Sequence, residues 1–287
     1  MTALALVLHH DRGQARELAA EALAWLESQG HNVRLPTSDA EVLGRADLGQ
    51  GEERFADDLE VAVAMGGDGT MLRAVHLVAD HDVPVLGINV GQLGYLTETD
   101  PSDWRPALER FLAGFYALDE RMMLRITIDA PSGAGGPLQS LLVLNEAVLE
   151  KISMGHTVRL RVSIDGRFFT SYVADGLIVA TPTGSTAYSL SARGPIVAPN
   201  HRAMLLTPVS PHMLFDRSLV LEPSVELRLE VDGGRPATLS VDGRNVVTLC
   251  DGDAIICTAA ERPAKLVSFG QRDFHGILKS KFGLNDR

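Results

Sequence analysis

The run Gly66-Gly67-Asp68-Gly69-Thr70 sets one carboxylate among three glycines, directly after the apolar stretch 61–65 and ahead of a helical pattern. Glycines at such a turn let the backbone approach a phosphate closely, and the first turn of the following helix offers unpaired N–H groups and a partial positive charge. A carboxylate exposed there suits two tasks, deprotonating a hydroxyl or holding Mg²⁺, and phosphoryl transfer needs both. The plainer reading is a strand-to-helix turn in which Asp68 only caps the helix. The run fits neither the G-x-G-x-x-G pattern nor the P-loop, so dehydrogenase and Walker-type chemistry are not indicated. Arg73, in the helix that follows, either reaches substrate phosphates or lies on a solvated face.

Further along, Asn145-Glu146 interrupts the apolar run 141–149. Two polar residues in mid-strand cost stability unless they are satisfied, and an amide beside a carboxylate offers donors and acceptors suited to ribose hydroxyls. The alternative is a β-bulge with Glu146 solvated. The run Thr181-Pro182-Thr183-Gly184-Ser185-Thr186-Ala187-Tyr188-Ser189-Leu190-Ser191 combines hydroxyls and small residues with one aromatic ring. That composition suits an adenine wrapped by backbone and hydroxyl contacts with Tyr188 alongside, and equally suits an ordinary Ser/Thr loop capping a helix. Asp175-Gly176 is a turn or a ligand contact, and His156 by itself reads as a surface-loop histidine.

Together these motifs resemble those of the NAD kinases. The Gly66–Thr70 run is similar to that family's hallmark, which diacylglycerol-type lipid kinases and phosphofructokinases share more loosely. The 181–191 run resembles the second NAD kinase signature, and Asn145-Glu146 the family's short acidic-amide motif. Order and separations agree, and the resemblance covers nearly the whole chain, weakest before residue 59. It implies an enzyme that moves a phosphoryl group from ATP, another nucleoside triphosphate or polyphosphate to the 2′-hydroxyl of NAD's adenosine ribose, giving NADP, with Mg²⁺ or another divalent cation.

The resemblance implies Asp68 as general base and Gly66, Gly67, Gly69 and Thr70 as the loop for donor phosphates. It implies Asp68, Gly69, Arg73, Asn145, Glu146, His156, Asp175, Thr186, Ala187, Tyr188, Ser189, Leu190, Ser191 and Asn245 as contacts to NAD, with Asp175 near the nicotinamide end. No separate set of metal ligands is assigned. A homodimer or homotetramer with sites shared between chains is expected. Three positions depart from the family's pattern. Val173 stands where many bacterial relatives carry Arg, which opens the choice between NAD and NADH. Arg193 stands where Gly is frequent, and the shorter Asn245 where Gln is expected.

These residues need a scaffold. The first hundred residues alternate apolar runs with helical patterns, the signature of a parallel sheet covered by helices. Strands are expected over 3–9, 32–35, 59–65 and 84–90. Between the first two, Leu18, Ala22, Trp25 and Leu26 form one helical face that Gly30 closes. A second helix is expected from Met71 to about Ala79. From about Met122 the pattern alternates, as in Val158, Leu160, Val162 and Ile164, then Val225, Leu227, Leu229 and Val231. Asp-Gly turn signals recur at 165, 242 and 251, two of them placed as hairpin loops. Residues 131–137 read as a flexible loop. The fold expected is α/β plus all-β: a Rossmann-like domain over 1–120, a β-sandwich-like domain over 121–267, and a tail, 268–287, whose helix over 273–282 packs back on the first domain.

Composition narrows the partners. A net charge of −11, from 26 Lys+Arg against 37 Asp+Glu, supplies no basic face for nucleic acid. An anionic ligand must therefore be held by backbone N–H groups, a divalent cation and a few placed basic side chains. No stretch approaches the roughly 20 apolar residues of a membrane span, and the apolar start lacks the flanks of a signal peptide. Cys250 and Cys257 fit no zinc or redox spacing, which suits a reducing, cytoplasmic setting. Two rivals stand beside the NAD kinase reading: a lipid or sugar kinase using the same loop, and a non-catalytic sensor that binds NAD or NADP.

Overall fold

The computed structural model describes residues 2–92, 94–134, 140–270 and 273–284. Gly135, Gly136 and Pro137 of the expected flexible loop lie outside them. The chain divides into two compact units, Met1–Glu120 with Ala264–Arg287, and Arg121–Pro263.

In the first unit the apolar runs become parallel strands because helices cover the sheet on both faces. β1 (Ala3–Leu8) leads through α1 (Gly13–Ser28) to β2 (Asn32–Pro36), then through α2 (Thr37–Leu43) to the short β3 (Gly49–Gln50). After α3 (Glu52–Phe55) come β4 (Val61–Gly66), α4 (Asp68–Val78), β5 (Val85–Asn89), α5 (Trp104–Leu112) and β6 (Ala117–Arg121). Leu18, Ala22 and Leu26 of α1 are buried against Leu4, Leu6 and Leu8 of β1 and against β4. Trp25 is only partly buried and meets Trp104 edge to face at 5.8 Å. Gly30, at φ 77°, ends α1 as expected, and the His31 N–H returns to the Leu26 carbonyl at 3.1 Å.

β1 lies between β2 and β4, and the chain leaves the two inner strands in opposite directions. The crevice at the carboxyl ends of β1 and β4 is therefore a topological switch point. α4 begins at Asp68, three residues ahead of the expected Met71. Gly67 serves as its N-cap, so the glycine-flanked acid is the first residue of the helix rather than part of a separate loop.

The second unit is two antiparallel sheets. Its strands are β7 (Leu124–Asp129), β8 (Ser140–Val143), β9 (Glu146–Lys151), β10 (Val158–Ile164), β11 (Arg167–Ala174) and β12 (Gly176–Ala180). The one-turn α6 (Tyr188–Ser191) precedes β13 (Met204–Val209), β14 (Leu219–Leu221), β15 (Leu227–Val231), β16 (Ala237–Val241), β17 (Arg244–Leu249) and β18 (Ala254–Ala259). One sheet runs β11-β10-β15-β18-β7-β8, the other β14-β13-β12-β9-β16-β17. Alternate residues of both, among them Leu160, Val162, Leu229, Leu149, Val179 and Leu239, share one core. Asp165-Gly166 and Asp242-Gly243 turn hairpins with both residues at positive φ, the geometry that favours Asp-Gly. Asp251-Gly252 instead connects β17 and β18, which belong to different sheets.

β19 (Ala264–Ser268) then enters the first sheet beside β5, so that sheet reads β3-β2-β1-β4-β5-β19-β6. The return to the first unit thus starts with a strand at Ala264. α7 (Phe274–Lys281) follows, capped by the Asp273 carboxylate on the His275 N–H at 3.0 Å.

Candidate active site

In the first unit the glycine turn is built by close approach. A Cβ on Gly66 would overlap the Thr70 side chain, and Thr70 is buried. The Asp68 carboxylate accepts the backbone N–H of Tyr95 at 2.8 Å on one oxygen and of Leu96 at 2.9 Å on the other. A Cβ on Gly94 would overlap that carboxylate. Asp68 thus sits at a helix N-terminus, partly exposed, held on both oxygens, with lone pairs remaining on each. Its negative charge, after burial, also raises the pKa of the Tyr95 phenol. Gly69 is exposed beside it. The loop after β5 that grips Asp68 was not singled out in the sequence. Its signal was a pair of glycines, Gly91 and Gly94, right after a parallel strand.

Arg73 follows on α4, and its guanidinium is engaged. It forms an ion pair with Asp39, donates to the Leu8 carbonyl at 2.7 Å and lies 3.0 Å from His10 Nε2. Asp39 is completely buried, accepts the Leu8 N–H at 2.8 Å, and lies 2.7 Å from His10 Nε2. Neither Asp39 nor His10 carries a sequence signal of its own.

In the second unit, Asn145-Glu146 is not a mid-strand pair. Leu144 and Asn145 are the crossing from β8 in one sheet to β9 in the other, and Glu146 opens β9. The Asp242 carboxylate at the β16–β17 turn accepts the N–H groups of Leu144, Asn145 and Glu146 at 2.9, 2.8 and 3.0 Å. In the sequence Asp242 is legible only as a turn residue. Glu146 is 7% exposed, which removes the solvated-bulge alternative. Burial pushes its pKa up to about 8; the Asp242 charge adds to the rise and the Tyr188 N–H opposes it. Its Oε2 and the hydroxyl of buried Thr183 have no hydrogen-bond partner among the described residues.

The 181–191 run folds onto that crossing. Thr181 donates its hydroxyl to the Leu144 carbonyl, and its N–H reaches the Asn145 carbonyl at 2.9 Å. A Cβ on Gly184 would overlap the Asn145 backbone, so the glycine is what lets the two segments touch. Tyr188 is exposed; burial of its phenol, then the charges of Glu150 and Asp175, raise its pKa. The Asp175 charge thus acts on the Tyr188 phenol. Asp175 lies at the sheet-changing step between β11 and β12, paired with Lys151 at 2.6 Å.

Thr186, Ala187 and Leu190 are half-buried and Ser191 exposed, but Ser189 is completely buried and shares its hydroxyl with Thr207 at 3.1 Å. The Ser189 side chain packs; it does not face solvent. His156 is exposed in the β9–β10 loop, and Asn245 is exposed on β17, an edge strand. Neither is drawn to Glu146 by any contact among the described residues. Val173 pairs across the sheet with Arg159, so a guanidinium stands one strand away on the same face. Arg193 has φ 66°, the left-handed region, which is the physical reason a glycine suits that position.

With this geometry in view, the likenesses to known proteins are specific. Residues 4–116 match the ATP-NAD kinase N-terminal domain, and residues 144–269 the ATP-NAD kinase C-terminal domain. The chain is 42% identical over 282 residues to the NAD kinase of Moorella thermoacetica, covering 98% of this chain and 89% of that one. It is 39% identical to the NAD kinase of Heliobacterium modesticaldum, covering 98% of each. Among solved structures it resembles yeast NADH kinase complexed with NADH, with a TM-score of 0.91, 26% identity, and coverage of 100% and 89%. An NAD kinase from Archaeoglobus fulgidus in complex with ATP shares the fold, with a TM-score of 0.74 at 24% identity and coverage of 98% and 99%.

A glycine-flanked acid at the switch point of a parallel sheet, followed in the chain by an antiparallel sandwich, defines a phosphotransferase of the kinase class. The chain belongs to the NAD kinase family, and it is an enzyme.

Proposed function

We propose that this protein phosphorylates the 2′-hydroxyl of the adenosine ribose of NAD, giving NADP, with Asp68 as general base. The observation that carries the reading is the seat of Asp68: a carboxylate fixed by the Tyr95 and Leu96 N–H groups at the first residue of α4, flanked by glycines. As the 2′-oxygen attacks the donor's terminal phosphorus, its proton passes to Asp68, and the bond from that phosphorus to the bridging oxygen breaks. The donor leaves as ADP from ATP, or as a chain one phosphate shorter from polyphosphate. No covalent enzyme intermediate is needed.

The glycine turn and the N–H groups of α4 take the donor phosphates. Asn145, Glu146, Asp175 and the 186–191 segment hold the dinucleotide, with Tyr188 beside the adenine. The unpartnered Oε2 of Glu146 supports this, because a buried polar atom without a partner is a place for a ligand hydroxyl. His156, Arg73 and Asn245 are assigned supporting contacts on the strength of the family alone. A Mg²⁺-type ion fits the donor set: such an ion is held by one or two carboxylates plus substrate phosphates, and Asp68 keeps lone pairs free for it. Bound there, the ion would offset charge on the transferring group.

The reading includes a cytoplasmic homodimer or homotetramer. Exposed Phe168, Phe169, Leu214 and Phe215 support an assembly, since a monomer seldom leaves such side chains together in water. The test is direct. Purified protein is incubated with NAD and Mg²⁺ plus either ATP or polyphosphate, and NADP is followed with a dehydrogenase that accepts only NADP. NADH is run in parallel because of Val173. Product with either donor supports the kinase. Binding of NAD without product under any donor replaces it with the sensor.

A further inference from the structure

A second guanidinium, from the segment after β1, lies just past the carboxyl end of β5, and it is placed differently from Arg73. Arg12, the residue before α1, donates from Nη1 to the Val90 carbonyl, beyond the end of β5. Its guanidinium lies on Gly91, where a Cβ would overlap it; Gly91 has φ 141°, a conformation that also favours glycine. The Val90 N–H in turn bonds the Gly66 carbonyl at 3.0 Å. The Arg12 side chain is therefore joined, through one residue, to the turn that carries Asp68.

Charge separates the two arginines. Arg73 is neutralised by the completely buried Asp39. Arg12 pairs with no carboxylate among the described residues, and a guanidinium has five N–H donors of which the Val90 carbonyl takes one. It is half-buried, where a charge is screened less than on an open surface. An independent feature stands one residue earlier in the chain, beside the glycine turn. Asn89, the register partner of Gly66, is 7% exposed, and its Oδ1 has no partner among the described residues.

We propose that Arg12, seated by Gly91, is a binding residue for the terminal phosphates of the phosphoryl donor. A polyphosphate tail brings several negative charges to a protein whose net charge is −11, so a placed cation offsets repulsion, and a planar guanidinium suits phosphate oxygens. Asn89 then meets a donor hydroxyl or a water on the phosphates. This rests on the phosphoryl-transfer reading above and adds to it the group that recognises the donor.

The experiment has two arms on the full chain. In the first, binding of inorganic tripolyphosphate is measured by calorimetry without NAD, so it does not depend on turnover. Arg12→Ala is expected to weaken it by about tenfold or more, Arg12→Lys to recover part, and Gly91→Ala to mimic the loss by unseating the guanidinium. In the second, steady-state kinetics should show the KM for ATP or polyphosphate rising by about the same factor while the KM for NAD and the melting temperature hold. Unchanged tripolyphosphate binding in Arg12→Ala overturns the proposal. So does a variant in which both KM values rise together with a lowered melting temperature, because that pattern belongs to a structural role. If the unaltered protein makes no NADP, the kinase reading fails on its own. The first arm then still decides whether Arg12 binds polyphosphate.

Discussion

The Oδ1 of Asp242 accepts the backbone N–H of Asn145 at 2.8 Å, joining two residues 97 positions apart. The same carboxylate takes the N–H groups on either side, so the step from one sheet to the other is pinned at three consecutive residues. A step between sheets has no ladder partner, and its N–H groups would otherwise be unsatisfied. Asp242→Asn keeps the size but turns an NH₂ toward at least one of those donors. We expect a loss of about 1–3 kcal/mol in unfolding free energy, read from urea midpoints, together with a raised KM for NAD. A variant as stable as the parent would show that the anchor is dispensable.

Glu146 makes stability depend on pH in a stated direction. Its ordinary value of 4.5 is raised to about 8 in the folded protein. Between these values the folded state keeps a proton that the unfolded state has lost, so stability falls as pH rises through the window and levels off above it. The slope has an upper bound of about 1.4 kcal/mol per pH unit. Glu146→Gln removes the titration. The parent-minus-variant difference in unfolding free energy should therefore decline from pH 5 toward about 8. A flat difference would mean that Glu146 is ionised in the fold.

The parallel sheet was legible because strands buried on both faces leave continuous apolar runs, as at β1 and β4. The alternating β10 and β15 were legible for the opposite reason, one face buried and one wet. α4 starts three residues ahead of the helical pattern at Met71. Asp68 and Gly69 are poor helix formers, but at a first turn an acid is favoured by the helix dipole, and the Tyr95 and Leu96 N–H groups fix it there. Glu146 was legible as an anomaly, not as a sheet crossing, since its anchor Asp242 is remote in sequence. Arg73 is legible through its nearness to the glycines. Whether it is free depends on Asp39, a residue with no motif, and Arg12 carries no sequence signal because only Gly91 in three dimensions reveals its seat.

The two cysteines should separate cleanly in reactivity. Cys257 is completely buried on β18, and burial pushes its thiol pKa up, so thiolate is scarce and access closed. Cys250 is exposed. A thiol reagent applied to native protein is expected to label Cys250 alone, with Cys257 reacting only on unfolding. Mass spectrometry of the labelled peptides reads this directly, and rapid native labelling of Cys257 would show that its strand opens.

The assigned role of Asp68 can be tested by changing either its chemistry or its placement. Asp68→Asn removes the proposed acceptor of the 2′-hydroxyl proton, and turnover is expected to fall at least about a hundredfold while NAD affinity changes little. Gly94→Ala leaves the carboxylate intact but inserts a methyl group where its oxygens lie, so the acid must leave the Tyr95 and Leu96 N–H groups. If the base acts from that seat, Gly94→Ala should also lose turnover, with the variant still folded by circular dichroism. A full loss in Asp68→Asn with normal turnover in Gly94→Ala would mean that the acid works from another position. Near-normal turnover in Asp68→Asn would remove it from the chemistry altogether, because no second carboxylate flanked by glycines stands at the carboxyl end of β4.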